Sequence, residues 1–177
     1  STVTGATSTI DIDQIGNTNV LTFDVNGATF TGTFSTTGNS NDIDFNCDSA
    51  GTVSSCATAT ASIVWVGSSN DIDIDIGETA DAANATVTIT GASGSDSNVV
   101  AATIDGTSAI LTLSVNGDTN NYLIDINNDG DVNGHTLIHT HVGSIADVDI
   151  TQSGLYDNMI TLTTSGDNHD IDITQDD

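Results

Sequence analysis

The sequence predicts an all-β protein, a β-solenoid of about seven coils with two strands in each coil. Three observations support this fold: glycines recur mostly every ten to thirteen residues, short strands with alternating side chains lie between them, and the 177 residues include no proline. A period of two is typical of β-strands, and a chain without proline keeps every backbone donor that a sheet needs. We therefore expect almost no helix.

An Asn that follows a glycine by three residues shares its parity with the aliphatic residues of the next strand, as Asn19 does with Leu21 and Phe23. Asn and aliphatic side chains should then point inward and aspartates outward. A buried amide needs hydrogen-bond partners, and coils stacked about 4.8 Å apart would provide them by placing equivalent amides in a ladder. The predicted ladder residues are Asn19, Asn41, Asn70, Asn98, Asn120 and Asn158.

The repeat is not uniform. Two units are one residue longer, from Gly94 to Asn98 and from Gly154 to Asn158, and His169 takes the Asn position in the last unit. The length predicts a single domain over residues 1–177. Its repeats are clearest over 9–45 and 143–175, with irregular insertions around 46–62 and 78–94.

Charge restricts the partners of the protein. The chain has 25 acidic residues and no Lys or Arg, so its formal net charge is −25. Nucleic acid and anionic membranes would be repelled, and no apolar run reaches the length needed to insert into a membrane. The outward aspartates, such as Asp71 and Asp73, indicate a solvated face that keeps fibres apart, and the alternative is a face that binds divalent cations.

The segments 12–19 (IDQIGNTN) and 150–158 (ITQSGLYDN) resemble curlin repeats, in which a Gln stands two residues before a Gly and an Asn three after it. Members of this family are secreted subunits of amyloid-like surface fibres. The resemblance implies that Gln14, Gln152 and Gln175 also point inward and join the ladder. Val, Trp65 or His141 often replaces the Gln, so a convergent solenoid is the alternative to a divergent curlin.

Two cysteines, Cys47 and Cys56, flank a Gly/Ser/Thr segment that could turn back on itself, so the sequence predicts one disulfide and an oxidising compartment. The chain starts at Ser1, as a mature protein does after removal of a signal peptide. Both observations predict a secreted protein at the cell surface or outside the cell.

Two segments have the residue types of metal ligands. The sequence predicts no required cofactor. Calcium is the candidate ion for an Asp/Asn/Gly-rich segment that has oxygen ligands at alternate positions. The candidate ligands are Asp125, Asn127, Asp129 and Asp131. The segment lacks the Glu that closes an EF-hand loop, so a simple turn is the alternative. His139 and His141 share one strand face and could bind a transition metal, although His141 also occupies the Gln position of a polar ladder.

Nothing in the sequence indicates an enzyme, because its carboxylates are repetitive and show no pair in unlike surroundings. The predicted function is that of a structural subunit of an extracellular curli-like fibre, which assembles with copies of itself by end-to-end β-stacking, with a nucleator or secretion apparatus and divalent cations as further partners. One alternative is a sandwich-type pilin or virion fibre subunit joined by donated strands. Another is a calcium-dependent adhesin or an ice-binding solenoid with Thr-x-Thr rows such as Thr58-Ala-Thr60.

Overall fold

The computed structural model describes residues 2–26, 29–47, 58–77, 84–92, 94–105, 108–127, 134–154 and 158–176. These residues form fifteen β-strands and no helix. The strands are β1 (Thr2–Thr4), β2 (Thr7–Ile15), β3 (Val20–Asn26), β4 (Thr29–Thr37), β5 (Asp42–Cys47), β6 (Thr58–Val66), β7 (Asp71–Ile76), β8 (Asn84–Gly91), β9 (Val99–Asp105), β10 (Ala109–Asn116), β11 (Asn121–Asn127), β12 (Thr136–Val142), β13 (Asp147–Ser153), β14 (Met159–Ser165) and β15 (Asp170–Asp176).

The strands alternate between two parallel sheets. One sheet has the order β1-β3-β5-β7-β9-β11-β13-β15, and the other has the order β14-β12-β10-β8-β6-β4-β2. Each strand therefore pairs with the strands two before and two after it in the chain, which is the connectivity of a β-solenoid. The predicted fold is confirmed, with a small correction to the coil count: β1 is a further strand beyond two per coil, so the sheets have eight and seven strands.

The same residue positions stack from coil to coil. Ile43 pairs with Ile72, Ile72 with Val100, and Val100 with Tyr122. A sandwich-type subunit would show nonrepeating pairings, whereas the pairings between the described strands are all parallel and keep this register. The inward residues form one core, in which Trp65 and Tyr122 are fully buried.

A short turn joins each strand of the seven-stranded sheet to the next strand of the other sheet. Six of these turns have four residues, as in 16–19 and 38–41, and the turn after β8 spans 92–98. The residue before the last one in each turn is left-handed, with φ between 57° and 62° from Thr18 to Asn168. This corner of the coil is therefore nearly constant. The connections that return to the seven-stranded sheet differ in length, and the predicted irregular insertions fall on two of them.

Candidate functional site

The predicted amide ladder runs along the constant corner. The backbone N–H groups of Asn41, Asn70 and Asn98 donate to Oδ1 of the Asn in the next coil, at 2.8 to 2.9 Å. Asn19 makes the same bond to Asn41 at 3.1 Å. Each of these Asn side chains also donates from Nδ2 to a carbonyl three residues earlier, as Asn120 does to Gly117 at 2.9 Å. The ladder thus satisfies buried amides both within a coil and between coils.

The structure changes the predicted alignment at two places. Asn98 donates to the carbonyl of Ser95, so Ser95 and not Gly94 occupies the glycine position, and this ladder step has the usual spacing. Asn158 lies at the opposite corner, where its Oδ1 accepts the backbone N–H of His135 at 3.0 Å. His135 in turn accepts the N–H of Ala109 through Nδ1 at 3.0 Å. Asn158 therefore stacks with a histidine rather than with Asn120.

The Gln residues are divided between the two sheets. Gln14 pairs with Thr36 in the seven-stranded sheet, and Trp65 and His141 lie further along the same column. Gln152 is fully buried in the eight-stranded sheet, and Nε2 of Gln175 lies 3.5 Å from its Oε1.

Ala146 interrupts the ladder between Asn120 and His169. Its backbone N–H donates to Nδ1 of His169 at 3.3 Å, but it has no amide to accept the N–H of Asn120. A groove of ≈ 360 Å³ lies beside it, lined by residues of the last turns including Asn120 and Ile145. There is room for a longer side chain at this position.

Ala146→Asn should therefore stabilise the protein. The new Oδ1 would accept the N–H of Asn120 and the new Nδ2 would donate to Gly143, so we expect a gain of about 1 kcal/mol in the free energy of unfolding. Urea denaturation measures it. Ala101→Asn, on the outer surface of β9, is the control without a ladder partner, and an equal effect of both changes would contradict the ladder interpretation.

The outer surface of the eight-stranded sheet carries most of the charge; we call it the acidic face. Neighbouring coils place carboxylates opposite one another, as in the pairs Asp42 with Asp71 and Asp44 with Asp73. Burial, then the charges of Asp44, Asp71 and Asp42, raise the pKa of Asp73. Its aspartates are Asp24, Asp42, Asp44, Asp71, Asp73, Asp75, Asp105, Asp125, Asp147, Asp149, Asp170, Asp172 and Asp176.

Asp73→Asn should stabilise the protein at neutral pH by about 0.5 kcal/mol, a small value because the side chain is exposed. A folded-state pKa above the ordinary 3.8 means that the stability contributed by this group is present below pH 3.8 and is lost as pH rises through the raised value. The gain should therefore disappear in acid, which denaturation at several pH values measures. Asp11→Asn is the control, because Asp11 pairs with the neutral Thr33 in the next coil. A gain in stability of Asp73→Asn that persists below pH 3.8 would contradict repulsion between the carboxylates.

The outer surface of the seven-stranded sheet has a different composition; we call it the threonine face. Three columns of outward side chains cross all seven strands, and each column has five Thr or Ser in seven positions. The first column is Thr9, Thr31, Thr60, Thr86, Ile110, Thr136 and Met159. The second is Asp11, Thr33, Ser62, Thr88, Thr112, Ile138 and Thr161, and the third is Asp13, Ser35, Val64, Thr90, Ser114, Thr140 and Thr163. Among the described residues its carboxylates are confined to β2.

The histidines lie in the C-terminal coils. His135, His139 and His141 are fully buried, and burial lowers the pKa of each, to about 3 for His139. The Tyr122 hydroxyl lies 2.9 Å from Nδ1 of His141, and the Tyr122 and His139 rings are 4.4 Å apart, edge to face. Within the described ranges there is no group of three or more metal-ligating side chains, so a transition metal at His139 and His141 stays a prediction.

Two other predicted sites extend beyond the described residues. Asp125 is exposed in β11 and Asn127 ends this strand, but Asp129 and Asp131 lie outside the described ranges, so the calcium site is still a prediction. Cys47 is fully buried in β5, while Cys56 lies outside these ranges, and the disulfide likewise stays a prediction.

The two terminal coils have open faces. Ile171 and Ile173 in β15 are 38% and 47% exposed, whereas Val148 and Ile150, which pair with them in β13, are 0% and 2% exposed. At the other end Ile10 and Ile12 of β2 are half-buried. β1 pairs only with Asp24, Val25 and Asn26 of β3. Core side chains and strand edges are thus uncovered at both ends of the described stack of coils.

Sequence reasoning predicted the ladder and noted Thr-x-Thr rows such as Thr58-Ala-Thr60, but it did not place such residues together on one face. A signal was present: strands before the Gly-x-x-Asn turn carry Thr at their outward positions, and strands after it carry Asp. The difference becomes a surface only when strands of one kind stack on one another, which requires the strand order.

No helix among the described residues is long and apolar enough to cross a membrane. Family models, curated proteins and solved structures were each compared with the chain, and none of them matched.

Proposed function

We propose that this protein is a structural subunit of an extracellular, curli-like fibre and that it assembles by end-to-end β-stacking. The observation that carries the proposal is the pair of open coil faces. Within the described strands each interior coil is covered above and below by a coil of the same register, and inward side chains are exposed in the terminal coils, as Ile171 and Ile173 are. A second copy placed on such a face would continue both sheets.

The polarity of the ladder favours head-to-tail stacking. In each step the backbone N–H comes from the earlier coil and the acceptor from the later coil, as in the bond from Asn98 to Asn120. Among the described residues, the N–H of His169 is therefore the ladder donor at one end of the stack, and Oδ1 of Asn19 is the ladder acceptor at the other. Bringing the C-terminal face of one copy to the N-terminal face of the next pairs a donor with an acceptor.

Two features oppose this assembly. β1 covers the last three residues of β3, so it must shift before a full strand can pair there. Each copy also carries a formal charge of −25, which slows association at low ionic strength. We therefore expect filaments to form faster in salt or with divalent cations, and secretion, a nucleator and the surface setting belong to the same proposal.

Ile173→Asp tests the proposal, because it places a charge on the open C-terminal face. Val66→Asp is the matched control: Val66 is 43% exposed, close to the 47% of Ile173, but it lies in an interior coil. Cryo-electron microscopy, with and without calcium, should show filaments of the wild type and the control with a rise that is a whole number of ~4.8 Å layers. It should show monomers of Ile173→Asp. Wild-type monomers in all conditions, or filaments of Ile173→Asp, would reject end-to-end stacking.

A further inference from the structure

The threonine face is a two-dimensional array of hydroxyl groups. Because the strands pair in register, hydroxyls in one column repeat about every 4.8 Å from coil to coil, and neighbours on one strand, such as Thr86 and Thr88, repeat at about 6.6 Å. Thr has a stiff χ1 torsion, so its hydroxyl and methyl groups are held in place before any partner arrives. Such a surface can order water in a lattice.

The charge distribution sets this face apart from the rest of the molecule. The acidic face carries thirteen aspartates, whereas the carboxylates among the described residues of the threonine face are Asp11 and Asp13, both in the first coil. Solubility alone does not explain why one face has so few carboxylates and the other has so many. Its Thr and Ser hydroxyls hydrogen-bond to water without imposing the hydration shell of an ion, and the Thr methyl groups beside them make apolar contacts.

From these features we propose that the threonine face binds ice. The partner is the crystal lattice of water, whose surface presents oxygen rows that repeat in two dimensions. The neighbouring columns through Thr86 and Thr88 would hold water in register with it. This function goes beyond the fibre proposal and uses a different surface, because the coil ends take part in stacking and the side of the solenoid meets the ice.

The size of the face favours ice over a second copy of the chain. Three columns at ~6.6 Å across seven strands at ~4.8 Å cover roughly 670 Å², below the ~800 Å² per partner in a standard protein interface. The apolar side chains on it, such as Ile110 and Ile138, are separated by hydroxyls. A growing ice surface gains from many weak, regularly spaced contacts.

Thr112→Tyr and Thr103→Tyr form a matched pair for the test. Both residues are half-buried in central strands, Thr112 on the threonine face and Thr103 on the acidic face, and Tyr is well tolerated in strands. Circular dichroism checks the fold. Partition of fluorescently labelled protein into a growing ice hemisphere, together with inhibition of ice recrystallisation, measures ice binding.

Wild type and Thr103→Tyr should enter the ice and slow recrystallisation, and Thr112→Tyr should lose both activities. The Ile173→Asp variant should keep both, so a failure of fibre assembly is separable from a failure of ice binding. Exclusion of the wild type from ice, or an equal loss in both Tyr variants, would overturn the proposal. If Thr112→Tyr changes only side-by-side association in sedimentation experiments, the face binds a second copy and the ice proposal is rejected.

Discussion

Replacing His139 with Leu is expected to stabilise the protein and to weaken its sensitivity to acid. His139 is fully buried in β12, and in its column Leu113 lies in the coil before and Leu162 in the coil after. Neither ring nitrogen has a hydrogen-bond partner in the described part of the chain. A buried polar group without a partner costs free energy, so the change should add about 1–2 kcal/mol to the free energy of unfolding at pH 7, reduced somewhat by loss of the Tyr122 ring contact.

The effect should grow as pH falls. Burial, and then the nearby His141, lower the pKa of His139 from 6.5 to about 3. The stability that this depressed pKa contributes is present above pH 6.5 and is lost as pH falls towards 3, because the unfolded chain takes up the proton first. Linkage predicts that the wild type loses about 2 kcal/mol through this group by pH 5, while the Leu variant does not.

Urea denaturation between pH 7 and pH 5 tests this prediction. Part of the acid sensitivity should remain in His139→Leu, because burial also lowers the pKa of His135 and His141. The reverse change, Leu113→His, puts an imidazole in the preceding coil of the same column and should add acid sensitivity. An unchanged pH dependence in His139→Leu would show that this imidazole has a partner or is hydrated.

Gly38→Ala is expected to cause the largest loss of stability. Gly38 has a φ of 135°, where L-residues are strained, and an added Cβ would overlap the carbonyl oxygen of Gly16 in the preceding coil. The same close approach recurs at Gly67, Gly143 and Gly166. Backbone strain and the steric overlap together should cost on the order of 3–5 kcal/mol.

Gly94→Ala separates these two causes. Gly94 also has a positive φ, 81°, but no heavy atom lies within 4 Å of the position that a Cβ would take there. This variant should lose only about 1 kcal/mol, from backbone strain alone. Thermal and urea denaturation of both variants give the comparison. If they lose similar stability, close packing of the glycine column contributes little.

The fold was predictable because its main signal is local. The parity of Asn19, Leu21 and Phe23 is visible within one strand, and the structure places these residues on the inner side of β3 and its turn. The predicted role of the Asn residues followed from the cost of burying an amide alone. The observed bonds from Asn70 to Asn98 and from Asn98 to Asn120 meet this requirement.

The alignment of the coils was harder to predict, because it depends on pairings between distant residues. Counting from glycines placed Asn98 one residue out of step, since Ser95 supplies the carbonyl that a glycine supplies elsewhere. The same counting assigned Asn158 to the wrong corner, because a Gly followed by an Asn occurs at both corners. The spacing of the glycines predicts where a turn occurs, but it does not predict which of the two sheets the chain enters after the turn.

The positions of the candidate surfaces could not be predicted either, because they too depend on which strands pair. Outward aspartates were expected, but their concentration on one sheet depends on odd-numbered strands pairing only with one another. The open coil faces follow in turn from the order of the coils in the stack.

The constant corner has a consequence for how such a chain can change in length. Between β2 and β3, β4 and β5, and β6 and β7 the turn has four residues each time. Its Asn bonds to the Asn of the next coil, and its glycine packs against the backbone of the neighbouring turn. An inserted residue there would shift the register of every later coil. At the other corner the chain already accommodates connections from two residues, after β3, to ten, after β5. Foreign peptides grafted at that corner would therefore be displayed in a row along one edge of the molecule, with the two sheets left intact.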